Sequence, residues 1–139
     1  MDYDMESIIE NIPLFRARVV GSKKYVIGHY HYNKNTDTNY INYTDEVKDG
    51  FKLGRQYSKK IEIDTLAISF PNMLDENNER LFASLQKSGK GGDKCDLYLD
   101  KNQEAPTRAG YTCRYGSYEI VFNNFNFNAY SKIVKVGIQ

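Results

Sequence analysis

The sequence predicts a mostly β protein with minor α content, on three observations. Aromatic residues are abundant in 139 residues, with 12 Tyr and 7 Phe and no Trp, and such side chains favour strands over helices. Several short segments alternate apolar and polar residues with the period of two expected of a half-buried strand. Clusters of Asn, Asp, Gly and Ser separate them at intervals typical of hairpin connections. Closely spaced strands of this kind point to a small barrel or rolled sheet.

In chain order, Met5, Ile8, Ile9 and Ile12 recur at helical spacing, with Asp4 placed as an N-cap and Pro13 just beyond, predicting a short N-terminal helix or arm over residues 1–13. Residues 14–20 alternate, with Phe15, Ala17 and Val19 on one face and Arg16 and Arg18 on the other. A turn at Gly21-Ser22-Lys23-Lys24 joins this strand to a second over 25–32, with Gly28 as a candidate bulge, and the two read as a hairpin. Residues 33–39 are a polar loop, and Tyr40, Ile41 and Tyr43 restart a strand. The charged stretch 45–53 is ambiguous, and Ile61 and Ile63 resume the apolar pattern. Turns are expected at 70–73 and at Asp75-Glu76-Asn77-Asn78, where Asn tolerates positive φ. Short strands follow at 81–85 and 95–99, separated by the Gly-rich loop 87–93. After the polar stretch 100–110, strands over 111–115, 117–122, 125–128 and 132–138 read as an antiparallel meander. The resulting organisation is an arm (1–13), an N-terminal β unit (14–93) and a C-terminal β unit (94–139).

Composition excludes several function classes. With 19 basic and 18 acidic residues the net charge is +1, unlike the large basic excess of a dedicated polyanion binder. Lys23-Lys24, Lys59-Lys60 and Lys87 with Lys90 and Lys94 read as solvated surface. No apolar run is long enough for a membrane span, and the acidic start Met1-Asp2-Tyr3-Asp4 carries no apolar stretch of the secretory kind. The expectation is therefore a cytoplasmic protein with reduced thiols at Cys95 and Cys113, which lack the spacing of a zinc or redox motif. The glycosylation sequon Asn42-Tyr43-Thr44 is then idle.

Four constellations are chemically suggestive. Lys87, Gly89, Lys90, Gly91 and Gly92 resemble an anion nest, although Walker spacing is absent. His29 and His31 share one strand face, a two-imidazole start to a metal site that lacks a recognisable third ligand. Asp75, Glu76 and Glu79 flank a polar turn where solvation is expected, and Ser84, Ser88 and Ser131 have no nucleophile-elbow context. The fourth is the Asn-rich aromatic run Phe122-Asn123-Asn124-Phe125-Asn126-Phe127-Asn128-Ala129-Tyr130. Phe125, Asn126, Phe127, Asn128 and Tyr130 form the leading binding-surface candidate, although core packing of the Phe rings competes with exposure for base stacking. No cofactor motif and no catalytic set is present, so the expectation is a non-enzymatic protein.

The central stretch carries a resemblance. Asp64-Thr65-Leu66, Met73-Leu74-Asp75 with Asn77-Asn78, Leu81-Phe82 and Gly92-Asp93 together resemble the YopX family of phage and prophage proteins. Lys24-Tyr25-Val26-Ile27-Gly28-His29-Tyr30 is similar to its early strand, and Ile133-Val134-Lys135-Val136-Gly137-Ile138 to its closing one. The loop between Phe82 and Gly92 is longer than in the family pattern, and the Glu before Gly-Asp is absent. The resemblance implies an irregular N-terminal antiparallel sheet followed by a small SH3-like C-terminal barrel, phage origin, and work inside the host cytoplasm. It implies no activity.

From these readings the leading expectation is an accessory module that binds a host or phage protein, since Tyr and Asn are well suited to interfaces. Nucleic-acid binding by the C-terminal barrel is the alternative, and metal binding through His29 and His31 a second one. Open sheet edges also admit a symmetric homo-oligomer.

Overall fold

A computed structural model describes residues 13–44, 55–117 and 119–139. The expected N-terminal helix up to residue 12, the whole ambiguous stretch 45–53 with residue 54, and Tyr118 lie outside the described residues.

The described chain is mostly β. Strands β1 (Leu14–Arg18), β2 (Tyr25–Asn33), β3 (Thr38–Thr44) and β4 (Gln56–Lys60) form successive antiparallel pairs. A 3-10 turn over Ile63–Thr65 leads into β5 (Ala67–Ser69), which returns antiparallel to β1 on the side away from β2. Strands β6 (Ala83–Ser84), β7 (Asp93–Tyr98), β8 (Arg108–Gly116), β9 (Glu119–Phe122), β10 (Phe125–Asn126) and β11 (Lys132–Ile138) complete one 11-stranded sheet. Its main path runs β10-β9-β8-β6-β5-β1-β2-β3-β4, with β7 and β11 branching from β8. The single parallel step, β6 to β8 through Ser84 and Arg114, makes the sheet mixed.

Two expectations need correction. The sheet is open, so the SH3-like barrel expected for 94–139 does not close. The expected meander ends at β10, because β11 pairs with β7 through Ile133↔Leu97 and Lys132↔Tyr98. A 3-10 turn over Phe127–Ala129 redirects the chain between them, and the β7 pairing puts Ile133 and Leu97 together in the core.

The hairpin turns follow from residues that accept positive φ. Asn123 and Asn124 stand at φ 46° and 79°, both left-handed, as a two-residue turn between right-twisted strands requires. At the 75–79 turn only Asn78 of the Asn pair takes positive φ, at 60°. Gly28 is not at a bulge. It pairs regularly with Phe15, and a Cβ there would lie 2.1 Å from the Asn42 carbonyl oxygen. Glycine is needed where β2 leaves β1 and takes up β3.

The larger apolar cluster holds Met73, Leu81, Leu97, Cys113, Phe122 and Ile133 among others, and draws on both sides of residue 93. A smaller one gathers Ala17, Val26, Ile41, Ile61 and Leu66, with Phe15 packed against both. Fully burying side chains such as Phe122, Leu81 and Leu97 stabilises the fold by roughly 1.5–3 kcal/mol each before entropy is counted.

Candidate functional site

Tyr25, Phe82, Asp93 and Lys135, four of the residues that carry the family resemblance, meet Arg16 and Gly91 in a buried polar knot. Arg16 was expected on the polar face of β1 but is 5% exposed, and Asp93 is wholly buried. The face of β1 that should meet solvent is instead covered by the Gly-rich loop and Phe82. Arg16 Nη1 donates to Asp93 Oδ1 at 2.9 Å and Nη2 to the Gly91 carbonyl at 2.8 Å. The guanidinium also lies 4.7 Å from the centre of the Phe82 ring and 5.6 Å from that of Tyr25. Asp93 Oδ2 accepts the Phe82 N–H at 2.8 Å, and Lys135 Nζ stands 3.6 Å away. A buried charge is tolerable when it is both paired and hydrogen-bonded, and Asp93 is both.

The same knot accounts for the Gly-rich loop. The N–H groups of Gly89, Gly91, Gly92 and Asp93 donate to the carbonyls of Gln86, Gln139, Gly89 and Phe82, and that of Lys90 donates to Ser88 Oγ. An anion nest needs converging free amides, and residues 89–93 have none to offer. Lys90 Nζ meets Asp64 Oδ2 at 2.6 Å on the surface, while Lys87 is exposed. Ser84 is likewise structural: its hydroxyl donates to the Lys90 carbonyl and accepts the Gln86 N–H.

Asp75 departs from the expected solvation. It is buried, and its Oδ1 accepts the N–H groups of Asn77 and Glu79, both at 2.9 Å. It holds the turn closed, whereas Glu76 and Glu79 are exposed. His29 and His31 are exposed on β2, opposite Asn42 and Tyr40 of β3. Among the described residues, no group of three or more His, Cys, Asp and Glu side chains is placed to hold a metal ion. His29 borders a hollow of about 440 Å³ between β2, β3 and β4, walled in part by the stacked Tyr43 and Tyr57.

Cys95 and Cys113 are free thiols in the main cluster on neighbouring strands. Burial, reinforced by the Asp93 charge, pushes the Cys95 thiol up to about 12. Burial, followed by the neighbouring Cys95 and Asp93, carries Cys113 well above its ordinary value. The thiolate is the reactive form. Neither thiol is therefore expected to react with a colorimetric thiol reagent at pH 8 over hours in the native protein, and both are expected to react within minutes in denaturant. Rapid titration of a thiol without denaturant would refute this placement.

The aromatic run is divided between core and surface. Phe122 is fully buried, while Phe125, Phe127 and Tyr130 are half-buried. Phe127 stacks on Phe122 at 5.9 Å between centroids, and Tyr130 meets both Phe122 and Phe125 edge-on at 6.2 Å. Arg108 lies 4.9 Å over the Phe125 ring. Burial raises the Tyr130 hydroxyl's pKa, opposed by the Arg108 charge. Asn126 and Asn128 are exposed.

Asn126, Phe127 and Asn128 line a furrow of about 390 Å³. Its apolar surface comes from Phe70, Met73, Tyr115 and Ile120, and its remaining polar groups from Asn72 and Glu119. Phe70 and Tyr115 pack with centroids 6.0 Å apart. None of those six residues was expected from the sequence to line a binding surface. They come from three separate stretches, and only strand pairing brings them to the Asn-rich run. Phe125 and Tyr130 lie outside this furrow, which Lys87, Lys90 and the two histidines do not line either.

Compared with known proteins, the chain matches no family model, no curated protein and no solved structure. Among the described residues no helix is long and apolar enough to cross a membrane.

Proposed function

We propose that this chain is a YopX-like, phage-encoded accessory protein that acts without catalysis, in the host cytoplasm, by binding another protein through the furrow beside β10. The observation that carries the reading is the composition of that furrow. Aromatic and aliphatic side chains share it with the amides of Asn72, Asn126 and Asn128, and among the described residues Glu119 is its one charged lining residue. An Asn side chain both donates and accepts, which matches the alternating donors and acceptors of a polypeptide backbone. The half-buried rings of Phe70, Tyr115 and Phe127 offer an apolar contact surface. The buried knot and its neighbours support the non-catalytic part, since Arg16, Ser84, Gly91 and Asp93 are engaged in holding the chain together.

A furrow lined, among the described residues, by a carboxylate and by no Lys or Arg is poorly suited to phosphates. The nucleic-acid reading instead draws on Arg108 stacked over the half-buried Phe125, a pair able to extend a stack onto a base. One experiment separates the two: a tagged pull-down from host-type lysate, with and without nuclease, using wild type, Asn128→Arg and Phe125→Ala. The expected result is a protein partner that withstands nuclease and falls about tenfold with Asn128→Arg. A partner that disappears with nuclease and with Phe125→Ala would move the function to nucleic acid. Equal capture by Asn128→Arg would remove the furrow from the account.

A further inference from the structure

The chain shows at its own centre how it holds a guanidinium. Arg16 donates to the Asp93 carboxylate at 2.9 Å and to the Gly91 carbonyl at 2.8 Å, and its guanidinium lies 4.7 Å from the centre of the Phe82 ring. Arg108 likewise lies 4.9 Å over the Phe125 ring. Three kinds of group serve an arginine here. A carboxylate answers the charge, carbonyl oxygens accept the remaining N–H groups of its five, and an aromatic face covers its weakly hydrated plane.

The furrow beside β10 brings the same three kinds of group to the surface. Glu119 is exposed, and among the described residues it is the furrow's one charged lining residue and belongs to no ion pair. Asn72, Asn126 and Asn128, also exposed, supply amide oxygens. Phe70, Tyr115 and Phe127 supply half-buried rings. Phe70 and Tyr115 are packed 6.0 Å apart with their planes tilted by 41°, and Phe127 is held by its stack on Phe122. Rings fixed by their own packing lose little freedom when a ligand arrives. Two arginines in the neighbouring chain are engaged elsewhere: Arg80 donates to the hydroxyl and carbonyl of Ser69, and Arg114 to the Lys87 carbonyl. The volume of about 390 Å³ is at the low end of the ~300–1,000 Å³ of small-ligand sites, which suits one long side chain and the backbone that carries it.

We infer that the furrow takes an arginine side chain of the partner protein, with its guanidinium over the aromatic rings and paired with Glu119. The Asn amide oxygens accept the N–H groups that the carboxylate leaves over. Charge complementarity selects a cation, because the furrow's lining carries one carboxylate and no Lys or Arg among the described residues. The rings and the spread of acceptors select arginine over lysine. A lysine ammonium is compact and strongly hydrated, whereas a guanidinium is planar, stacks on aromatic faces and pairs with a carboxylate through two N–H groups at once. This inference rests on the protein-binding reading and adds the residue that the furrow recognises.

The probe is an array of short random-sequence peptides screened with the labelled full chain. Bound peptides are resynthesised and titrated by fluorescence anisotropy, with each arginine changed in turn to lysine and to citrulline, its neutral analogue of the same shape. The expected peptides share an arginine. Lysine in its place is expected to weaken binding about tenfold, and citrulline at least as much. Glu119→Gln removes the charge from an exposed position. It is expected to weaken the arginine peptide about tenfold and to leave the arginine and citrulline forms nearly equal. Bound peptides that lack arginine, equal binding of the lysine form, or an arginine–citrulline gap that persists in Glu119→Gln would each overturn the inference. An array with no bound peptide would overturn it too. The pull-down then judges the broader reading separately. A nuclease-resistant partner lost with Asn128→Arg would leave protein binding standing without the arginine, and capture unchanged by Asn128→Arg would remove the furrow from both.

Discussion

Asp93→Ala is expected to destabilise the protein by about 3–5 kcal/mol, the range for removing one partner of a buried ion pair. Three losses coincide at that position. Arg16 keeps its charge in a site where it is 5% exposed, with only the Gly91 carbonyl left to its guanidinium. The Phe82 N–H loses its acceptor, and Lys135 loses the charge 3.6 Å away. Against a net stability of ~5–15 kcal/mol for an ordinary domain, the change should bring the urea midpoint sharply down. Far-UV circular dichroism would follow it. A paired design separates charge from packing. Asp93→Asn combined with Arg16→Met keeps an acceptor for Phe82 while removing both charges, and is expected to recover at least half of the loss. An Asp93→Ala cost below about 1 kcal/mol would mean that Arg16 reaches water by a small rearrangement, and the knot would not be the centre of the fold.

That knot also explains where sequence patterning stops being informative. Alternation is read on the assumption that one face of a strand is solvated. The hairpin of β1 and β2 meets that condition on part of its length, and its register follows the alternation of Phe15 and Ala17. At Arg16 the second face is covered by Phe82 and the Gly-rich loop, far along the chain, so a polar residue in the pattern no longer means exposure. The Gly-rich loop misleads for a related reason. Glycines that free amides for an anion and glycines that let backbones pack closely look alike in sequence, and only the acceptors at Gln86, Gln139 and Phe82 tell them apart.

Partner choice between strands is equally non-local. Strands β8, β9 and β10 are joined by short turns and pair in order, as their spacing implies. Strand β11 follows five residues after β10, yet pairs with β7. Nothing in residues 132–138 distinguishes those two partners. The gain from placing Ile133 against Leu97 belongs to the assembled core. The furrow shows the same limit. Asn126, Phe127 and Asn128 stand together in the sequence, but Phe70, Met73, Tyr115 and Ile120 reach them only through the folded sheet.

Gly91→Ala is the second substitution expected to have a large effect, at roughly 2–5 kcal/mol. Two physical terms add. The residue sits at φ +85°, a left-handed conformation that costs an L side chain roughly 1–2 kcal/mol. A Cβ there would also lie 2.0 Å from the Thr65 carbonyl oxygen, and forcing extra volume into a packed site typically costs ~1–3 kcal/mol. The obstacle is backbone, so no side-chain rotation relieves it. The 3-10 turn at Ile63–Thr65 must move, or Gly91 must. If Gly91 moves, its carbonyl leaves Arg16 Nη2 and its N–H leaves the Gln139 carbonyl. Gly21→Ala is the control, because Gly21 has φ +73° and nothing within 4 Å of an added Cβ. It carries the conformational term alone, about 1–2 kcal/mol. The difference between the two variants in chemical denaturation therefore measures the close approach itself. Equal costs would show that the loop yields freely at Gly91, and that the contact between the Thr65 turn and the Gly-rich loop contributes little to closing the knot around Asp93.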